Sequence, residues 1–469
     1  MSTPSPYPWA PGFYPGDRPQ VVTSRFQYED AHTIDRYHAT GGYQGLRKAL
    51  EQAPADVSEE VKKSTLLGRG GAGFPAGTKW SFMPPAVWPR YLVVNGDESE
   101  PGTYKDRLLM ECDPHQLIEG CLIACYAAGL SRCFLYIRGE MPLAHERVAK
   151  ALDDAYAAGY VGKNILGTNF SVDIVMHYGA GAYVVGEETA LIESLEGERG
   201  MPRLKPPYFP AAIGLYGKPT VVNNVETLSN LPFIALNGSA AYTAIGTETS
   251  PGTRMIAVSG HVKRPGVYEI LNGSTTFRDL IYGEDFAQGI RDGNTLKTFV
   301  PGGGSAPWFL PDQLDIPFEG RAAGSAGSML GSGAVMVMDD TTDIPAAALT
   351  LVRFYAHESC GKCVPCREGG TWLYRIVERI VAGEGTDTDL ATILEVGESI
   401  CPGAMPHASS ERLGLDAVPF PYKMTTICFV GPSAYVPIHS AITLFPEDFA
   451  SRVTSRPIRA TIPVMAAGS

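Results

Sequence analysis

Long apolar runs are missing: none approaches the ~20 residues a membrane-spanning helix needs, so the sequence predicts no such span. The opening stretch, MSTPSPYPWAPGFYPGDRP, lacks the basic start and apolar core of a secretory signal. The expectation is a cytoplasmic protein, or one docked on a membrane through partners. Positive charge is in deficit, 38 Lys and Arg against 50 Asp and Glu, and the resulting −12 argues against nucleic acid as the main partner. Neither a G-x-G-x-x-G turn after a strand nor a phosphate loop ending Gly-Lys-Ser/Thr is present. A secreted disulfide framework is excluded as well. Nine cysteines in 469 residues are too sparse for one, and three of them crowd into a run that reads as reduced thiols at a metal site.

That run is ESCGKCVPCREG, with Cys360, Cys363 and Cys366 at C-x2-C-x2-C and Cys428 well downstream. Two-residue gaps, eased by Gly361 and Pro365, let one short loop turn three sulfurs toward one point. Four thiolates hold a 4Fe-4S cube, so a fourth must come from elsewhere. Zinc is the rival, but structural zinc sites pair C-x2-C with a second such half or with H-x3-H, and neither follows here. An iron–sulfur cluster is the expectation. Cys112, Cys121, Cys125 and Cys133 match no metal spacing and read as small buried hydrophobes.

With 44% hydrophobic residues, the chain has material for two to four domains of about 100–200 residues each. Residues 1–40 read as an extended arm suited to wrapping a neighbour. Helical stretches GYQGLRKALEQA and SEEVKKSTLLGRG follow, the second entered through Ser58. Then comes GRGGAGFPAGTKW, whose five glycines in ten residues expose backbone N–H groups to a phosphate, with Lys79 adding charge. A flexible linker would share the glycines but not the large aromatics Phe74, Trp80 and Phe82, whose rings suit a nucleotide or flavin. A strand, Tyr91 to Val94, runs into NGDESEPG, where ligands of open α/β sheets bind. On composition alone its three carboxylates read as a solvated turn; a hard cation and ribose hydroxyls are the other uses. Helices through Ala128 and over 143–158 alternate with strands 133–138 and 171–177. A second small-residue loop, GAGAYVVGEET, and the amides of KPTVVNNVET add to a cofactor crevice. From about Arg254 a small α+β module begins, and beyond Ile344 helices 346–357, 372–382 and 389–400 surround the cysteine run.

In this order, GRGGAGFPAGTKW, NGDESEPGTYKDR, GAGAYVVGEETA, KPTVVNNVET and ESCGKCVPCREG resemble the flavin-bearing, NADH-oxidising subunits of bacterial respiratory complex I, the F-subunit family of the NADH–quinone oxidoreductases. The resemblance covers about residues 40–450. It implies an α/β chain with a Rossmann-like FMN/NADH domain at 41–250, a ubiquitin-like α+β domain at 251–340 and a helical 4Fe-4S domain at 341–450, flanked by the 1–40 arm and a 451–469 tail. FMN would be held by Gly68, Arg69, Gly70, Gly71, Lys79, Asn95, Asp97, Glu98, Tyr183, Gly186, Glu187, Glu188, Val222, Asn223, Asn224 and Thr227. Phe74 and Phe82 would stack the NADH adenine, and Lys79, Glu100 and Glu188 would meet the rest of that molecule. Cluster ligands would be Cys360, Cys363, Cys366 and Cys428, the last in TICFVG where the family has TICALG. Cys401 is the other candidate, separated from Cys428 by the insertion-like PGAMPHASSERLGLDAVPFPYKM.

The resemblance implies hydride transfer from NADH to FMN, then single electrons to the cluster and on toward quinone. Positioning is the protein's task there, so no catalytic acid or base is expected. Carboxylates near the pocket predict NADH over NADPH. Implied partners are other peripheral-arm subunits, especially a small 2Fe-2S subunit and a large multi-cluster subunit, on the cytoplasmic side of the membrane. Diaphorase subunits of NAD-linked hydrogenases or formate dehydrogenases share these motifs, often with appended ferredoxin- or thioredoxin-like domains not seen here. A non-catalytic scaffold built around zinc is the rival from another class.

Overall fold

Leu92, Val93 and Val94 are an unbroken apolar triplet, the pattern of a parallel strand buried on both faces. All three are fully buried in the computed structural model, which describes residues 5–402 and 424–454. The described chain divides into two compact units: residues up to Thr342 with Ile427–Val430, and Asp343–Thr426 with Gly431 onward.

In the first unit, β1 (Tyr91–Gly96), β2 (Arg132–Ile137), β3 (Asp173–Tyr178) and β4 (Thr220–Asn224) form a parallel sheet in the order β3-β2-β1-β4. Leu92 lies opposite Cys133 on one side and Val221 on the other. Parallel strands present all their carboxyl ends on one side, so the loops after β1, β3 and β4 gather at a Rossmann-like crevice. The crossover helix Pro114–Ala128 is capped by Asp113, starts on Pro114 and closes at Gly129 with φ +62°. Cys121 and Cys125 on this helix, Cys133 on β2 and Cys112 are all buried among apolar neighbours, as expected of thiols used for packing.

Two local expectations shift. Helix Pro54–Lys63 starts at Pro54, after Ala53, so Ser58 lies inside it instead of capping it; proline's fixed φ opens the helix earlier. The N-terminal arm packs on its own chain. Tyr14 N and Gly12 O bond Val267, Phe13 and Phe26 are buried, and the Glu269 carboxylate accepts the amides of Val21, Val22 and Thr23 at 2.8, 3.1 and 3.0 Å. It ends in a helix, Ile34–Ala39.

The same unit holds the small α+β module. β5 (Thr253–Gly260) and β6 (Gly266–Leu271) form a hairpin, β7 (Leu296–Val300) runs antiparallel to β8 (Ala334–Asp339), and β8 runs parallel to β5. Helix Phe277–Tyr282, opened by a Thr276–Asp279 capping box, packs Phe277 and Leu280 into a core with Ile256, Tyr268 and Phe299.

The second unit is helical. Ile344–His357, Gly370–Val381 and Asp389–Ile400 match the expected stretches to within two residues. Gly397 has no room for a Cβ, which would lie 1.9 Å from the Tyr435 ring on helix Val430–Leu444. Residues 403–423 of the insertion and 455–469 of the tail lie outside the described residues. Among the described residues no helix is long and apolar enough to cross a membrane.

Candidate functional site

The glycine run closes on itself before it reaches the sheet. Gly68 N donates to Phe74 O at 2.9 Å and Ala76 N to Leu66 O at 2.9 Å, pinching the loop at its base. Gly71 and Gly73 sit at φ +131° and +64°, where a side chain is strained. Gly70 is needed for another reason: its Cβ would stand 3.1 Å from that of Asn224. The Arg69 amide donates to Thr227 Oγ1 at 2.8 Å, and Trp80 Nε1 to Asn223 Oδ1 at 3.0 Å, so the loop is knitted to the end of β4. Lys79 Nζ reaches Val222 O and Glu188 Oε2, both at 2.9 Å. Phe74 and Phe82 stay 45% and 58% exposed, with ring centres 5.8 Å apart, an open apolar rim for a flat base.

At the end of β1 the solvated-turn expectation fails, because its acids are bound to the protein. Asn95 Nδ2 holds Gly186 O at 2.9 Å, its Oδ1 accepts Asp97 N at 3.1 Å, and Asp97 accepts Ser99 Oγ at 2.8 Å. Glu98 is buried and accepts the amides of Lys105, Asp106 and Arg107 at 2.9, 2.8 and 3.0 Å, anchoring the first turn of helix Lys105–Cys112. Burial, reinforced by the Asp106 charge, pushes its pKa up to about 7. Glu100 accepts Ser305 N and Oγ at 2.7 and 2.6 Å, and Tyr183 OH at 2.6 Å.

After β3, Glu187 caps helix Glu188–Leu195 by accepting Thr189 N at 2.8 Å and Ala190 N at 3.0 Å. Lys205 bridges Glu187 at 2.8 Å and Glu188 at 2.9 Å. Burial alone would raise the Glu188 carboxyl, but Lys79 and Lys205 outweigh it and hold it below the usual range. After β4, Asn224 accepts Thr227 N at 3.3 Å and donates to Asp106 at 2.6 Å. Below the loop, Lys105 Nζ pairs with Glu226 at 2.6 Å and Asp106 at 2.9 Å. The structure thus brings together the expected residues of all four segments. Lys205 and Ser305 lie outside every motif read from the sequence, and Lys105 and Glu226, though inside two of them, were given no role because they meet each other only through the fold.

The crevice fits a phosphorylated flavin: glycine amides free of Cβ, a lysine and buried guanidinium groups at one end, asparagines and flat rings along it. In the second unit, Gly361 at φ +81° turns the cysteine loop, and Arg367 Nη1 holds Gly361 O at 2.7 Å. Cys366 is buried, raised by that burial while Ser359, 3.2 Å from its sulfur, pulls the other way; Cys360 and Cys363 are half-buried. Among the described residues no three His, Cys, Asp or Glu side chains gather at single-ion distance. A cube carries one thiolate on each of its four irons. The all-thiol donor set fits the cube.

A parallel sheet with this crevice and a helical cysteine unit defines a flavin- and iron–sulfur-dependent dinucleotide oxidoreductase. Residues 61–232 match the Nuo51 FMN-binding domain, and 346–408 the NADH-ubiquinone oxidoreductase-F iron-sulfur binding region. The F subunit of the NADH-quinone oxidoreductase of Streptomyces coelicolor is 45% identical over 93% of this chain and 91% of its own; the F 2 subunit of the Rhizobium meliloti enzyme is 45% identical over 93% and 98%. Among solved structures, an NAD+-reducing [NiFe]-hydrogenase in the air-oxidized state superposes with TM-score 0.75 at 33% identity, over 91% of this chain and 67% of that one. The chain belongs to the F-subunit family of the NADH-quinone oxidoreductases.

Proposed function

We propose that this chain is the electron-input subunit of a respiratory NADH–quinone oxidoreductase, carrying FMN at the crevice and a 4Fe-4S cluster on the cysteine loop. Bound there, FMN supplies a two-electron acceptor for hydride and the cluster a one-electron carrier. The chain's own contribution is placement. The glycine amides together with Asn95, Asp97, Asn223, Asn224 and Thr227 would hold the flavin. Phe74 and Phe82 offer the adenine a stacking face, while Glu100, fixed from three donors, meets NADH hydroxyls or amide. Cys360, Cys363 and Cys366 bind the cluster, and we carry Cys428 as fourth thiolate on its motif alone.

The observation that carries this reading is the single residue Lys79: from the glycine loop it reaches both Val222 O after β4 and Glu188 after β3. Three loops are joined at one point, as one cofactor requires. Ionic balance at the mouth, Lys79 and Lys205 against Glu187 and Glu188, leaves Glu100 to disfavour the extra phosphate of NADPH. Its partners, on this reading, include a small 2Fe-2S subunit and a large multi-cluster subunit on the cytoplasmic face of the membrane.

The test is the visible spectrum and metal content of the purified chain. Flavin and iron–sulfur bands with about four irons per chain are expected; a colourless protein containing zinc contradicts the proposal. The hydrogenase-like match favours a second reading, the diaphorase subunit of an NAD-linked hydrogenase. Co-purifying subunits decide between them: quinone-reductase subunits, or a nickel-containing partner.

A further inference from the structure

Three cations are buried together beneath the glycine loop: Arg69, Lys105 and Arg254, exposed by 1%, 1% and 6%. Lys105 takes the two nearest carboxylates, Glu226 and Asp106, and Arg69 stands 4.0 Å from Glu226. Glu98, the next acid, gives its oxygens to three backbone amides. Arg254 is left over. It begins β5 of the α+β module and donates to Gly331 O at 2.6 Å, but its Nε, like that of Arg69, is buried with no hydrogen-bond partner. Burial, then the like charge of Arg69, drive its pKa down to about 10. Glu226 and Asp106 act on Arg254 only from beyond ion-pair distance, both being engaged by Lys105; a buried guanidinium with no carboxylate in contact is costly, and an anion from outside would offset that cost.

The place for that anion is close by. Gly331, whose carbonyl takes the Arg254 proton, abuts Gly71: a Cβ on Gly71 would lie 4.0 Å from the Gly331 carbonyl carbon. Arg69 belongs to the loop itself. We propose that Arg254 supplies the fixed charge that seats the flavin's phosphate, so that the α+β module selects FMN over unphosphorylated riboflavin. The inference rests on the glycine loop being the phosphate end of the flavin site.

The experiment titrates FMN and riboflavin into flavin-stripped full-length chain, read by quenching of flavin fluorescence, with circular dichroism as the folding control. Arg254→Gln keeps a donor for Gly331 but no charge; Arg254→Lys keeps a charge without the planar fork. The Gln variant is expected to lose about ten- to hundredfold in FMN affinity with riboflavin affinity unchanged. The Lys variant should lose a few-fold, again for FMN alone. Equal losses for both ligands, or none, make Arg254 a purely structural residue and overturn the proposal. Should the Gln chain not fold, the Lys chain decides by the same criterion. If native chain binds the two flavins equally well, the phosphate reading of the loop has failed before Arg254 is reached, and the proposal falls with it.

Discussion

Glu226→Gln tests how the loop is held from below. The substitution keeps the shape and an acceptor for Met255 N, bonded at 2.9 Å, but removes the charge facing Lys105 at 2.6 Å and Arg69 at 4.0 Å. Breaking a fully buried pair costs about 3–5 kcal/mol. Lys105 retains Asp106 at 2.9 Å, so the lower end applies, about 3 kcal/mol. At about 2–4 °C per kcal/mol for a large folded unit, the melting temperature should fall by about 6–12 °C. Near-ultraviolet circular dichroism of the flavin-free chain at neutral pH reads the effect without interference from cofactor loss. FMN affinity should fall too, because Arg69 carries the loop amide that bonds Thr227. A melting temperature within about one degree of native, with unchanged FMN affinity, would refute the idea that this buried cluster positions the loop.

Gly77→Ala places a Cβ 2.6 Å from the Lys62 Cα, backbone against backbone, and should cost at least about 2 kcal/mol while lowering flavin content; a native melt and full flavin occupancy would contradict the packing described. Glu98 has its pKa raised in the folded chain, to about 7 from 4.5, so the native state holds its proton longer than the unfolded state. Its contribution is present below about pH 4.5 and lost as pH rises through about 7; denaturant midpoints across that window should fall more steeply for native chain than for Glu98→Gln, and parallel slopes would count against it. Cys428→Ser should abolish iron and acid-labile sulfide, whereas Cys401→Ser should keep both, since Cys428 and not Cys401 stands in the TICFVG motif. The opposite pattern would exchange their roles. Lys205→Met should raise KM for NADH several-fold with kcat nearly constant by freeing Glu188 from one of its two lysines; an unchanged KM would show that the bridge is only structural.

Much of this was legible along the chain. The apolar triplet at 92–94, the Asp-Pro opening of the buried helix and the regular helical periods after Ile344 placed elements within a residue or two, because local pattern and burial agree there. The glycine-rich segments announced themselves for the same reason: backbone approach leaves a mark on composition. What composition misjudged was the acidic loop after β1. Three carboxylates look like solvent exposure until the amides of a following helix, and Ser305 some 205 residues away, are seen to bind them. Arg254 and Lys205 were hidden likewise, since their meaning depends on partners brought near only by the fold. Ser58 misled because proline at the first helical position outranks a serine inside the turn.

The central claim is that one chain converts a two-electron donor into one-electron carriers, and anaerobic titration of the purified protein with NADH measures it most directly. The account predicts bleaching of the flavin band together with the appearance of a paramagnetic reduced cluster. A flavin band untouched by NADH, or a bleached flavin beside a metal site that never takes an electron, would contradict it.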